Sequence, residues 1–189
     1  MNKLDNNIVS FDNEKLILVD SFDNEIGTMS KIDCHRDNGR LHRAFSVFLF
    51  NVKGELLIQQ RSASKKLWPL FWSNSCCSHP RDGENINEAV SRRLHDELGI
   101  SAFDIEYIYK FSYTAKYKDI GSENELCHVF IGKIDQQVEI NPNEIADFKF
   151  INSKDISILL KKEDVCTPWF IMEWERINSD HSRLLKKIS

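Results

Sequence analysis

Apolar residues along the chain fall into short runs separated by polar turns, and the spacing inside each run predicts its element. LILVD (16–20) reads as a strand, with SFDNEIG after it as a turn. RLHRAFSVFLF (40–50) is nearly continuous in apolar and aromatic residues and reads as a long strand. NVKG is a turn signal, and ELLIQQR (55–61) reads as the returning strand of a hairpin. RSASKKLWPLFW is basic, then aromatic, and reads as a loop. Ile86, Val90, Leu94 and Leu98 recur every four residues and make one stripe of a helix over 86–98. Asn85 with Glu88 is a capping pattern, and Gly99 stops that helix. Its other side carries Arg92, Arg93, Asp96 and Glu97, with Arg92–Asp96 and Arg93–Glu97 spaced as i,i+4 ion pairs. Strands are expected over 104–117, 126–134 and 147–151, and a helix over 153–162. Thr167 and Pro168 open a last helix running toward Leu185. Strands and helices mixed in this way predict an α/β domain with a mixed sheet.

Composition narrows the class. At 189 residues the chain suits a single domain, and 7 Gly and 4 Pro leave no flexible linker. A net charge of −4 argues against a general nucleic-acid binder. No apolar run reaches the length of a signal core or a membrane span, so a cytoplasmic protein with no membrane partner is expected. The five cysteines, Cys34, Cys76, Cys77, Cys127 and Cys166, are odd in number and include no C-x-x-C pair. Disulfides and zinc ribbons are therefore not expected.

Four features carry candidate chemistry: His35 with His42, Cys77 with His79, Glu123 with Glu125, and Arg93 with Glu97. In an extended segment residues i and i+2 share a face, so Cys77–His79 and Glu123–Glu125 each aim two side chains the same way. Three imidazoles and two carboxylates suit zinc, manganese, iron or magnesium. Taken singly, a histidine is more often an ordinary core or surface residue, and His95, His128 and His181 read that way. E-x-E alone is more often a solvated strand edge. Arg61, Lys65 and Lys66 suit a phosphate-bearing ligand or, taken alone, a solvated basic loop.

Residues 78–100 resemble a degenerate Nudix box. Glu84, Arg92, Leu94, Glu97, Gly99 and Ile100 keep its pattern, and it departs at Ser78 for the first Gly, at Asp96 for a Glu, and at Arg93 where a Glu follows the Arg. Further segments are similar to type 1 isopentenyl-diphosphate isomerases: R-L-H-x-A-F-S (40–46), R-S-x-S-K-K-x-W-P (61–69), W-S-N-S-x-C-S-H-P (72–80), R-R-x-x-x-E-L-G (92–99), E-N-E-x-C-x-V-F (123–130) and Thr-Pro-Trp at 167–169. The resemblance spans about 16–178. It implies one Nudix-type domain, with a mixed β-sheet sandwiched between helices. It also implies interconversion of isopentenyl and dimethylallyl diphosphate by proton transfers on opposite faces.

By that resemblance Cys77 and Glu125 are the proton-transfer groups. His35, His42, His79, Glu123 and Glu125 hold one divalent metal (zinc, manganese or magnesium). Glu97 and the Cys77 backbone hold magnesium with the diphosphate. Lys31, Arg61, Lys65 and Arg93 clamp the diphosphate, and Tyr113 and Trp174 surround the hydrocarbon. Cys76, Cys34, Cys127 and Cys166 are expected to be structural, and Arg92 and Asp96 to hold helix and loop together. No flavin and a monomer are expected. A cation at the Arg93 position argues against the rival reading, a Nudix hydrolase. The completeness of the matched positions argues against a silent binding module.

Overall fold

The computed structural model describes residues 7–101 and 104–180. Its strands are β1 (Lys15–Val19), β2 (Glu25–Ser30), β3 (His42–Phe50), β4 (Leu56–Arg61), β5 (Trp72–Ser73), β6 (Cys76–Ser78), β7 (Asp104–Tyr117), β8 (Gly121–Lys133) and β9 (Ile145–Ile151). Its helices are α1 (Lys31–Cys34), α2 (Ile86–Leu98), α3 (Ser153–Leu159) and α4 (Pro168–Asp180). All nine strands belong to one mixed sheet.

β3 is the axis of that sheet. One edge pairs in parallel with β8 along its whole length, from His42 beside Glu125 to Phe50 beside Lys133. The other edge is shared in turn by β1, at Leu18–His42, by β6, at residues 45–47, and by β4, at Phe50–Leu56. Both faces of β3 are covered, which explains its continuous apolar sequence. Phe45, Val47 and Leu49 face α2, packing with Ala89, Val90, Leu94 and Leu98. Ala44, Phe48 and Phe50 lie in the opposite cluster, with Trp169, Phe170, Trp174 and Ile177 of α4 and Ile156 and Leu159 of α3. The expected helix–sheet–helix sandwich is therefore present.

α2 keeps its predicted bounds. Asn85 and Glu88 form the reciprocal capping box, and Gly99 takes a left-handed φ of 68°, closing the helix through Gly99 N–H to His95 O and Ile100 N–H to Leu94 O. One face departs from expectation. Arg93 and Glu97 are buried, and Arg92 grips Glu84 at 2.7 Å rather than Asp96.

The 40–50/55–61 hairpin has its turn, closed by Gly54 N–H to Asn51 O, but the two strands share only the Phe50–Leu56 pair. Beyond it, residues 73–78 are inserted between them. Ser75 Oγ donates to Leu57 O and accepts from Leu49 N–H, and Asn74 Nδ2 donates to Val47 O and Cys76 O. Such short polar inserts carry no apolar alternation, so β5 and β6 escape the sequence pattern. β2 escapes it for a related reason. SFDNEIG is a turn only as far as Asn24, and β2 is a largely exposed edge strand. β8 begins at Gly121 rather than 126, α3 ends at Leu159, and His181 and the run toward Leu185 lie outside the described residues.

Because Leu94 is fully buried between α2 and the sheet, Leu94→Ala is expected to cost about 2–5 kcal/mol. A urea melt measures this, and an unchanged midpoint would refute the packing described.

Candidate active site

Three histidines and two glutamates converge from four parts of the chain. His35 follows α1, His42 opens β3, His79 follows β6, and Glu123 and Glu125 lie on β8. The parallel register sets Glu125 beside His42, and strand alternation puts Glu123 on the same face. Gly121 allows the close approach of His35. A Cβ there would stand 2.5 Å from the His35 carbonyl, which accepts from Ser122 N–H at 2.9 Å. One ligand atom from each of the five residues lies within 4.8 Å of all the others.

The donor set fits a divalent cation. His35 Nδ1 and His42 Nδ1 meet the carbonyls of Lys31 and Arg40 at 2.7 and 2.6 Å, which turns each Nε2 inward. His42 Nε2 and His79 Nδ1 are buried without a hydrogen-bond partner among the described residues, and Glu123 Oε2 lies 2.8 Å from His35 Nε2. Buried polar atoms are rarely left unpartnered, and this donor set suits a cation.

Charges in the cluster are divided unevenly. Burial opposes ionisation of Glu123, yet His35, at 2.8 Å, and His42 hold it down at about 2. Burial also disfavours a charge on His35, but Glu123 outweighs it and lifts that imidazole. His42 is pushed down to about 4 by burial and by His35, and His79 falls well below the ordinary range through burial and the other two imidazoles. Glu125 is raised well above the carboxylate range by burial and by Glu123. Its Oε1 contacts His79 Nε2, and its Oε2 accepts from Tyr113 O–H, both at 2.7 Å.

The adjacent cysteines point to opposite sides of the sheet. Cys76 is fully buried on the α2 side, with Sγ 3.6 Å from Glu97 Oε1. Cys77 packs on the α4 side and lines the cavity. Burial pushes the Cys77 thiol up to about 12, with Arg61 pulling against it. All five cysteines are free.

A cavity of 540 Å³ joins these groups, and Lys31, Arg61, Lys65, Arg93, Cys77, Tyr113 and Glu125 all line it. Arg93 reaches Glu97 Oε1 at 2.6 Å and Glu144 Oε2 at 2.9 Å, and Lys65 also pairs with Glu144. Lys31 is held down to about 8 by burial and by the charges of Lys65 and Arg93. Trp174 is not brought to this wall; it stacks on Phe48 at 6.4 Å inside the core. Glu97 lies behind Arg93 and forms no metal-ligand cluster among the described residues. The wall residues absent from the expected set include Trp169 and Glu144. Trp169 belonged to a motif already visible as Thr-Pro-Trp, whereas Glu144, in an irregular loop, carried no sequence signal.

Adding zinc or manganese is expected to raise the melting temperature, with about one ion bound per chain. Both effects should be lost in His42→Ala. An equal shift in that variant would place the ion elsewhere.

Residues 40–170 match the NUDIX domain family. Isopentenyl-diphosphate Delta-isomerase 1 of Photorhabdus laumondii is 49% identical over 170 residues, covering 89% of this chain and 97% of that protein. The isopentenyl-diphosphate Delta-isomerase of Salmonella typhi is 36% identical over 176 residues, covering 93% and 95%. A crystal structure of a Deinococcus radiodurans protein superposes with a TM-score of 0.72 at 22% identity, covering 86% of this chain and 98% of that one, a likeness of fold. No helix among the described residues is long and apolar enough to cross a membrane. With its sandwich, its His/Glu cluster and relatives that match over nearly their whole length, this chain belongs to the isopentenyl-diphosphate Delta-isomerase family of NUDIX-domain proteins.

Proposed function

We infer that this protein interconverts isopentenyl and dimethylallyl diphosphate. The observation that carries the reading is that Cys77 and Glu125 line one cavity with a group of cations that includes Lys31, Arg61, Lys65 and Arg93. An unactivated alkene is a poor base and needs a positioned acid held away from water. Glu125 is buried, burial and Glu123 raise its carboxyl well above the usual carboxylate range, and the Tyr113 hydroxyl donates to it.

Glu125 protonates the terminal alkene carbon, C4, using the C3–C4 π pair, and a tertiary cation develops at C3. Cys77, as thiolate, takes a proton from C2, and that C–H pair becomes the C2–C3 double bond. The shift is redox-neutral and calls on no flavin. Each turnover leaves Glu125 ionised and Cys77 protonated, so both groups exchange protons before the next one.

Lys31, Arg61, Lys65 and Arg93 receive the diphosphate, and Tyr113 walls the hydrocarbon. Zinc or manganese suits the His/Glu set. Glu97 and the Cys77 backbone would hold magnesium with the diphosphate, since magnesium commonly takes one or two carboxylates. When bound, these ions supply positive charge that favours the Cys77 thiolate and anchors the diphosphate.

Isopentenyl diphosphate incubated with the metal-loaded protein in deuterated water is expected to give deuterium-labelled dimethylallyl diphosphate by NMR. Cys77→Ala and Glu125→Gln should each lose at least about a hundredfold in rate. Unlabelled, unchanged substrate with the folded wild type, or released phosphate, would refute the reading.

A further inference from the structure

We propose that Trp169 is a positioning residue for diphosphate binding, its ring face holding the Arg61 guanidinium where the diphosphate is received. The inference rests on the reading of the cavity as a diphosphate site.

Arg61 differs from the other cations on the cavity wall, of which Arg36 pairs with Asp33 and Lys66 with Asp12. Lys31 lies 3.9 Å from Glu14, Lys65 pairs with Glu144, and Arg93 pairs with Glu97 and Glu144. Among the described residues Arg61 has no carboxylate partner. Its Nε and Nη2 donate to the carbonyls of Trp68 and Leu67 at 3.1 and 3.0 Å. Its charge, which acts at longer range on Glu123 and Cys77, has no ion-pair partner among the described residues and is open to an anion. No ion pair fixes it either, so the backbone carbonyls and an aromatic face must do so.

That face is Trp169. Arg61 Cζ lies 5.3 Å from its ring centroid, within cation–π range. The indole is itself held rigidly. Its N–H donates to Ser73 Oγ at 3.1 Å, Ser73 Oγ lies 3.0 Å from Thr167 Oγ1, and Trp68 meets the ring at 89° and 5.2 Å. The carbonyl partners of Arg61 come from a loop in which Trp68 and Leu70 take left-handed φ values of 47° and 63°. Bulky residues adopt these only when their surroundings impose them. The packing of Trp68 on Trp169 thus also supports the carbonyls that grip Arg61. Trp169 is 2% exposed yet lines the cavity, and Tyr113, which bonds Glu125, lies 6.3 Å away. One ring therefore joins the diphosphate end of the cavity to its acid end.

The test is a double-mutant cycle on the full-length, metal-loaded protein, with inorganic pyrophosphate and magnesium as the probe and calorimetry as the readout. Trp169→Leu is expected to weaken pyrophosphate roughly tenfold. In an Arg61→Met background the same change should cost less than about twofold, because its target is gone. Trp169→Phe, a weaker ring face, should lose about threefold on Arg61 and nothing on Met, which covers failure of the leucine variant to fold. Wild-type affinity in Trp169→Leu and Trp169→Phe, or losses that multiply fully in the double variants, would overturn the proposal. A wild type that shows the coupling yet does not turn over isopentenyl diphosphate would sink the isomerase reading while supporting this one.

Discussion

Residues Ser73, Asn74 and Ser75 hold β3 and β4 apart, and the site depends on that separation. Each is fully buried; Ser75 and Asn74 satisfy backbone groups of Leu49, Leu57 and Val47 that a closed hairpin would have paired across the strands, and Ser73 Oγ meets Thr167 Oγ1. A buried amide or hydroxyl left unmatched costs about 1–3 kcal/mol, so this insert is stable because its polar atoms are used. The gap it opens admits β6. Strand alternation then sends Cys76 to the α2 side and Cys77 to the cavity, and the chain beyond β6 delivers His79 to the His/Glu cluster. The two adjacent cysteines so have different surroundings: one packs in the core, and the other lines the cavity.

The second constraint is electrostatic. Glu123, Glu125 and three imidazoles share a buried volume in which ordinary charges are costly. The fold resolves this by holding Glu123 down against His35, raising Glu125, and pushing His42 and His79 below the ordinary imidazole range. A separate buried network joins Arg93 to Glu97 and Glu144, and Glu144 to Lys65, tying α2 to the loops that flank the cavity. Neither arrangement is what a sequence selected for stability alone would choose, since well-packed apolar residues can replace buried ion pairs at no loss. Both are intelligible as the scaffold of a cation-rich site beside a dry one.

The sequence disclosed the elements whose side chains alternate or repeat. α2 was legible from Ile86, Val90, Leu94 and Leu98 with its caps, and β3 from its apolar run. The site histidines and glutamates were legible as a candidate set because i,i+2 spacing already implies a shared face, and the resemblance gave them roles. What stayed hidden depended on partners distant in sequence. Nothing local marks Ser73–Ser75 as an insert between two strands, Arg93 as buried rather than solvated, or Glu144 as the carboxylate between two cations. Trp169 and Trp174 look equivalent in sequence, and only the packing of α4 sends one to the cavity and the other onto Phe48.

The central claim is that one cavity holds a diphosphate at its basic end and a five-carbon chain between Cys77 and Glu125. A crystal structure of the metal-loaded protein with an unreactive analogue of isopentenyl diphosphate tests it most directly. The account predicts diphosphate oxygens among Arg61, Lys65 and Arg93, and the hydrocarbon sandwiched between Cys77 Sγ and the Glu125 carboxyl. An analogue bound with its hydrocarbon outside the cavity, or with both groups on one side of it, would contradict the account.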